Sequence, residues 1–206
     1  MKGLFGTVAF AQTEPPTEAG RITPDIGQKI AECAPTSAAN SLISLAEENG
    51  ADIPSDTDLI NELKADMDWT PENGVLPDDF VEGKNKWAAR HGIPIRTTKV
   101  GDQHGRNTLP NILSAMADGS AAEIRIKFAQ NGKTKGGHMV TVTGVRIDGN
   151  QTFVEVADPR TPEGLDTYEV RGNVIVGYPY NGQAILSWGF VQTWEGSPTG
   201  TALDNM

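Results

Sequence analysis

The spacing of hydrophobic residues changes near residue 120. Before that point, apolar side chains recur every three or four positions, which is the period of an amphipathic helix. After it, Val, Ile and Thr residues cluster in short stretches with the composition of β-strands. Helices followed by antiparallel strands are typical of α+β domains, so the sequence predicts an α+β fold.

Helices are predicted through most of the first half. Pro35 suits the first turn of a helix, so Cys33 is expected just before or at the start of the first one, which Gly50 ends. Ser55 or Asp56 can cap the second helix. The second, third and fourth predicted helices cover residues 55–64, 78–91 and 108–117, and a short strand is predicted over 93–100.

Strands are predicted through the second half. They cover residues 121–128, 139–147, 152–157 and 167–170, with one or two more within 175–194. The segment Asp148-Gly149-Asn150 is a strong hairpin signal between the second and third of these strands. We predict a three-residue loop there, because that loop puts Val140, Val142, Val154 and Val156 on one face.

Composition and charge narrow the classes of function. Hydrophobic residues make up 37% of the 206 residues and charged residues 21%, as in folded globular domains. The net charge of −10 argues against binding to nucleic acid or to an anionic membrane surface, because both need clustered Lys and Arg. No apolar run is long enough to span a bilayer. A single cysteine allows no intramolecular disulfide.

The N-terminal segment is set apart from the rest. A short apolar stretch follows Lys2, and Ala9-Phe10-Ala11 has the small-x-small form of a signal-peptidase site, although the segment is shorter than a secretory signal. We therefore divide the chain into an extension or signal remnant at 1–24 and a domain at 25–206. Export and a cytoplasmic location both stay open.

Three residues have the chemistry of a cysteine nucleophile and its base. Cys33 is expected at a helix N-terminus, whose partial positive charge favours a thiolate. His138 begins one predicted strand and Asp158 ends the next. The predicted hairpin brings these two ends together, and the three-residue loop puts His138 and Asp158 on one face. Gln28, five residues before Cys33, could stabilise an oxyanion with the Cys33 N–H.

Three short segments resemble a known family. The sequence Cys-Ala-Pro-Thr-Ser at 33–37 resembles the Cys-Gly-Pro-Thr-Ser helix start of the bacteriocin-processing, double-glycine peptidases and their papain-like relatives. Gly137-His138 and Asp158-Pro159 resemble the later strand start and strand end of that family, and Gln28 its preceding glutamine. Ala34 departs from the usual glycine, and residues 54–118 match nothing in the pattern.

The resemblance implies a fold and a reaction. The fold would be papain-like, with an N-terminal helix carrying Cys33 packed on an antiparallel sheet carrying His138 and Asp158. The reaction would be hydrolysis of a peptide bond in a peptide or protein through a thioester on Cys33. No metal or organic cofactor is implied, and the oligomeric state stays open.

Other interpretations of the same residues stay open. The same site could transfer the acyl group to an amine or cleave an isopeptide bond. A non-catalytic binding module could also keep the scaffold, with Cys33 as a buried packing thiol. His91 and His104 are expected at the surface or at helix ends.

Overall fold

A computed structural model describes residues 17–21, 23–24, 26–27, 31–162 and 164–196. The four helices are α1 (Cys33–Glu48), α2 (Asp56–Asp66), α3 (Pro77–His91) and α4 (Thr108–Ala117). All four were predicted. The Ser55 hydroxyl caps α2 by accepting a hydrogen bond from the Asp58 N–H at 3.4 Å. Within these described ranges, no helix is long and apolar enough to cross a membrane.

The described residues also form eight strands. They are β1 (Glu18–Gly20), β2 (Ile95–Val100), β3 (Ala121–Gln130), β4 (Lys133–Asp148), β5 (Gln151–Ala157), β6 (Leu165–Arg171), β7 (Val174–Ile175) and β8 (Gln183–Trp194). Strand β4 begins six residues before the predicted position at 139. The reason is a tight turn at Asn131-Gly132, where both residues have positive φ, so β3 and β4 pair as a long hairpin.

Six of the strands close into an antiparallel ring. The pairings run β4–β3, β3–β8, β8–β7, β7–β6 and β6–β5, and β5 returns to β4. Strand β2 extends the sheet beside β8. Strand β1, which lies within the segment 1–24, pairs with β4. The architecture is a mixed helix and antiparallel-sheet fold in which α1 packs on the sheet, as predicted.

Two hydrophobic clusters lie on opposite sides of the hairpin β3–β4. One fills the strand ring and is closed by α4, with Ile124, Ile126 and Val140 in its centre. The other joins α1, α2 and α3 to the sheet and contains Leu42 and Met139. Because α1 packs between the other helices and the sheet, its first residue is held in a fixed position.

A buried polar cluster ties α1 and α3 to the sheet. The Lys84 ammonium lies 2.6 Å from Glu123 Oε1 and donates to the Ser41 hydroxyl at 3.0 Å. The Ser41 hydroxyl and the Gln192 amide also donate to the Glu123 carboxylate. Both charged side chains are fully buried, and burial lowers the pKa of Lys84 to about 8 despite the neighbouring carboxylate. Removing either charge would therefore leave the other without a partner.

The hairpin β4–β5 differs from the predicted one. Its turn has two residues, Gly149 and Asn150, because Asp148 pairs with Gln151, so the three-residue loop was wrong. A bulge at Thr143, which has no partner on β5, then shifts the register by one residue. Beyond the bulge, the shorter turn and the extra residue together give the same pairing as the predicted three-residue loop. Val140, Val142, Val154 and Val156 share one core cluster, as predicted.

Candidate active site

Cys33 is the first residue of α1 and is partly buried. No acidic residue lies in the first turn of this helix, and the Glu32 carboxylate at its N-cap is paired with Lys64. Burial raises the pKa of the Cys33 thiol, but the hydrogen bond and charge of His138, with the backbone N–H groups of Met139 and Ala34, outweigh it. The net pKa is below that of an ordinary cysteine, which favours the thiolate.

His138 contacts Cys33 on one side and Asp158 on the other. Its Nε2 lies 2.6 Å from Asp158 Oδ1, and both side chains are almost fully buried. An ionised carboxylate can only accept, so Nε2 carries the proton and Nδ1 is left for the thiol. Burial lowers the pKa of His138, but the bonds to Asp158 and then Cys33 outweigh burial and raise it.

The Asp158 carboxylate has further donors. Besides His138, it accepts from the Arg160 N–H at 2.9 Å and from the Tyr178 hydroxyl. Burial raises the pKa of Asp158, but the bond and charge of His138, followed by the Tyr178 hydroxyl, outweigh burial and lower it. Asp158 therefore stays ionised beside the imidazole. Tyr178 was not predicted, because no local motif marks it.

Aromatic rings enclose the bond between His138 and Asp158. The Phe128 ring stacks on His138 with centroids 6.3 Å apart and an interplanar angle of 17°. The Tyr178 ring lies 6.5 Å from the same imidazole and 5.8 Å from Phe128. These rings belong to the cluster inside the strand ring, so water has little access to the buried side of His138.

Two hydrogen bonds set the position of α1 against β4. The Ser37 hydroxyl, one turn after Cys33, donates to the Met139 carbonyl at 2.9 Å. The Thr141 hydroxyl donates to the Ser37 carbonyl at 3.0 Å. Met139 follows His138 directly, so these bonds hold the helix start beside the histidine.

The residues just before Cys33 are anchored to α2 and its following loop. The Lys64 ammonium lies 2.5 Å from the Glu32 carboxylate and 4.1 Å from the centre of the Trp69 ring. The Trp69 indole N–H donates to the Ala31 carbonyl at 2.8 Å. Ala31 itself has a positive φ of 60°, so the chain bends sharply before the helix begins.

A small cleft of about 90 Å³ opens at the Cys33 sulfur. One wall is Gly137, His138 and Met139 of β4, with Arg125 from β3 beside them. The other wall is the loop between α2 and α3, at residues 73–75. Arg125 was not predicted as a site residue, because its sequence setting is that of an ordinary strand residue.

The two other histidines do not line the cleft. Gln28 lies outside the described residues. His91, at the end of α3, contacts Glu62 at 2.6 Å, and His104 lies in an exposed loop before α4. In the part of the chain that the structure describes, no three His, Cys, Asp or Glu residues group as metal ligands.

The arrangement can carry out nucleophilic acyl transfer. A thiolate at a helix N-terminus is a nucleophile, and an imidazole in contact with it can give and take a proton. A buried carboxylate on the far nitrogen keeps the ring oriented and stabilises its protonated form.

Comparisons with known proteins give a matching family and a similar fold. The sequence model described as "Peptidase_C39 like family" matches residues 11–185. No curated protein matches the sequence. Among solved structures, the active wild-type interpain A cysteine protease of Prevotella intermedia superposes with a TM-score of 0.58 and 11% identity. The match covers 89% of this chain and 98% of that one, and at this identity it shows a shared fold.

Proposed function

This chain belongs to the Peptidase_C39 like family, and from that premise we propose that it hydrolyses peptide bonds with Cys33 as nucleophile, His138 as general base and acid, and Asp158 as the residue that orients His138. The observation that carries the proposal is the buried 2.6 Å bond from His138 Nε2 to Asp158 Oδ1, with Cys33 on the other side of the same ring. This arrangement supports a thiolate–imidazolium pair before substrate binds.

The first half of the reaction forms a thioester. The Cys33 thiolate attacks the peptide carbonyl carbon, and the carbonyl oxygen becomes an oxyanion. The Cys33 N–H, which begins α1 and has no partner within the helix, is the proposed donor to that oxygen, with Gln28 as a second proposed donor. The C–N bond breaks as the His138 imidazolium protonates the leaving amine.

The second half releases the product. Neutral His138 takes a proton from water, and the resulting hydroxide attacks the thioester carbonyl. The C–S bond breaks, the acid leaves, and the proton on His138 restores the ion pair with the Cys33 thiolate. Throughout, Asp158 stays ionised and holds Nε2, as expected from its lowered pKa.

Alkylation of Cys33 by iodoacetamide tests the proposal. Because the pKa of Cys33 is lowered, we expect rapid single-site labelling at about pH 6, where an ordinary thiol reacts slowly. His138→Ala removes the hydrogen bond and charge that lower this pKa, so labelling at pH 6 should slow at least tenfold. His91→Ala is a matched control at a distant surface histidine. Labelling of the wild type at the rate of a free thiol would contradict the proposal.

Digestion of a proteome-derived peptide library then identifies the reaction. The wild type should produce new free termini, and Cys33→Ala should produce none. Adding a primary amine such as glycine amide distinguishes hydrolysis from acyl transfer, because a transferase would give amide products in place of free acids. Rapid labelling of Cys33 without any cleavage in the library would exclude general peptide hydrolysis.

A further inference from the structure

Arg125 lines the same small cleft as Cys33, and the two side chains interact electrostatically. Arg125 is opposite Met139 in the pairing of β3 with β4, and its side chain turns toward Gly137. A methyl group added to Gly137 would lie 3.4 Å from Arg125 Nη2 and 3.7 Å from Cζ. The absent side chain at 137 thus leaves the guanidinium directly beside the residue that precedes His138.

No carboxylate pairs with Arg125 within the described residues. Asp158 and Asp102 have other partners: Asp158 is bonded to His138 and Tyr178, and Asp102 to Arg106 at 2.6 Å. Burial lowers the pKa of Arg125 and the Cys33 thiolate raises it, but a guanidinium stays charged at neutral pH in either case. The cleft therefore holds a partly buried cation that no carboxylate of the described residues neutralises, in a chain of net charge −10.

We propose that Arg125 binds a carboxylate of the substrate, in the residue next to the bond that Cys33 attacks. The inference rests on the proposed peptidase function and adds a substrate class to it. A guanidinium offers parallel N–H donors that match a carboxylate, and a half-buried one with no carboxylate bound gains most from such a ligand. Because Cys33 and Arg125 line one cleft, the carboxylate belongs to a residue that flanks the cleaved bond.

Two alkylating reagents test this without knowledge of the substrate. The Cys33 thiolate attacks the CH2 carbon of iodoacetate or iodoacetamide and displaces iodide, but only iodoacetate carries a carboxylate next to its reacting carbon. We expect Arg125→Gln to lower the ratio of the iodoacetate rate to the iodoacetamide rate about fivefold at low salt. The same ratio in the wild type should fall toward the variant value in about 0.5 M NaCl, because salt screens the charge.

The ratio separates recognition from other roles of Arg125. A role in stabilising the thiolate, or in folding, would change both rates equally and leave the ratio unaltered. Arg96→Gln is the matched control, because it removes the same charge from an exposed residue of β2 outside the cleft. Arg125→Lys keeps the charge and should keep most of the ratio. An unchanged ratio in Arg125→Gln would overturn the inference.

Failure of the proposed function would give a different labelling result from failure of the inference about Arg125. If both reagents label the wild-type Cys33 as slowly as a free thiol, the peptidase proposal fails and the inference falls with it. If Cys33 labels rapidly but the ratio does not respond to Arg125→Gln, the peptidase proposal survives alone.

Peptides then locate the carboxylate in the substrate. In the library digest, cleavage sites flanked by Asp or Glu should be enriched with the wild type and not with Arg125→Gln. Synthetic pairs decide the source: a Glu against Gln pair with amidated C-termini tests a side-chain carboxylate, and a free against amidated C-terminus tests a terminal one. We expect KM to rise about tenfold for the preferred acidic peptide in Arg125→Gln. Equal enrichment in both digests would contradict the inference.

Discussion

Replacing Tyr178 with Phe should weaken the orientation of His138 by removing one donor from Asp158. The Tyr178 hydroxyl is the donor to Oδ2, while Oδ1 keeps its bonds to His138 and to the Arg160 N–H. The carboxylate is only 2% exposed, so little water can replace the lost donor. A hydrogen bond to a charged group contributes about 1.5–3 kcal/mol, and Tyr178→Phe should reduce the free energy of unfolding by about that amount at pH 7.

The loss of stability in Tyr178→Phe should depend on pH. The pKa of Asp158 is lowered in the folded protein, so its stabilising contribution is present above the pKa of an unfolded aspartate and is lost as pH falls through the folded value. Removing the Tyr178 hydroxyl raises the folded pKa. The difference between wild type and variant should therefore be full at pH 7 and should shrink toward the lowest pH at which the protein folds.

Urea denaturation over a pH series measures both effects. Tyr180→Phe is the matched control, because its ring stacks on Phe128 at 4.3 Å and its hydroxyl has no hydrogen bond among the described contacts. Iodoacetamide labelling of Cys33 should also slow by about tenfold, or ~1.4 kcal/mol, as His138 becomes less well oriented. A loss within about 0.5 kcal/mol of the Tyr180→Phe control, or a loss independent of pH, would refute the reasoning.

Three further changes test how α1 is held. Ser37→Ala removes the donor to the Met139 carbonyl, so we expect a loss of about 1–2 kcal/mol in urea denaturation together with slower thiol labelling; a stability loss with unchanged labelling would contradict a positioning role. Lys84→Met leaves the buried Glu123 charge without a partner and should cost about 3–5 kcal/mol, much of it recovered by adding Glu123→Leu; similar stability of the two variants would contradict this. Ala31→Gly relieves the positive φ of 60° and should raise the free energy of unfolding by about 0.5–1 kcal/mol in thermal denaturation; an unchanged or lower stability would contradict this.

The helices and most strands could be predicted because local signals mark them. Helical spacing, Ser55 before α2 and the glycines after α1 and α4 act over a few residues, and the structure follows them closely. Cys33, His138 and Asp158 could be proposed because each was predicted at the end of such an element, although His138 lies within β4. The structure brings the three into contact, although their catalytic roles remain predictions.

Residues that depend on distant contacts could not be found this way. Tyr178 lies in an irregular segment between β7 and β8, and only the closed strand ring brings it to Asp158. Arg125 has the sequence setting of any solvent-facing strand residue, and its position in the cleft follows from the start of α1 lying against β4. The turn at Asn131-Gly132 was a readable signal for the longer β4, since Asn-Gly is a strong hairpin pair.

The hairpin β4–β5 shows why one part of the site was predicted for the wrong reason. A two-residue turn alone would put His138 and Asp158 on opposite faces, because each one-residue shift reverses the side-chain direction. The bulge at Thr143 adds the missing residue, and its carbonyl, which finds no partner on β5, accepts from the Arg21 N–H at 2.7 Å. Val142 then pairs with Val156, and the same register continued places Asp158 opposite Val140. The hydrophobic pattern reports only the sum of turn and bulge, so it predicts the shared face correctly without revealing how the backbone reaches it.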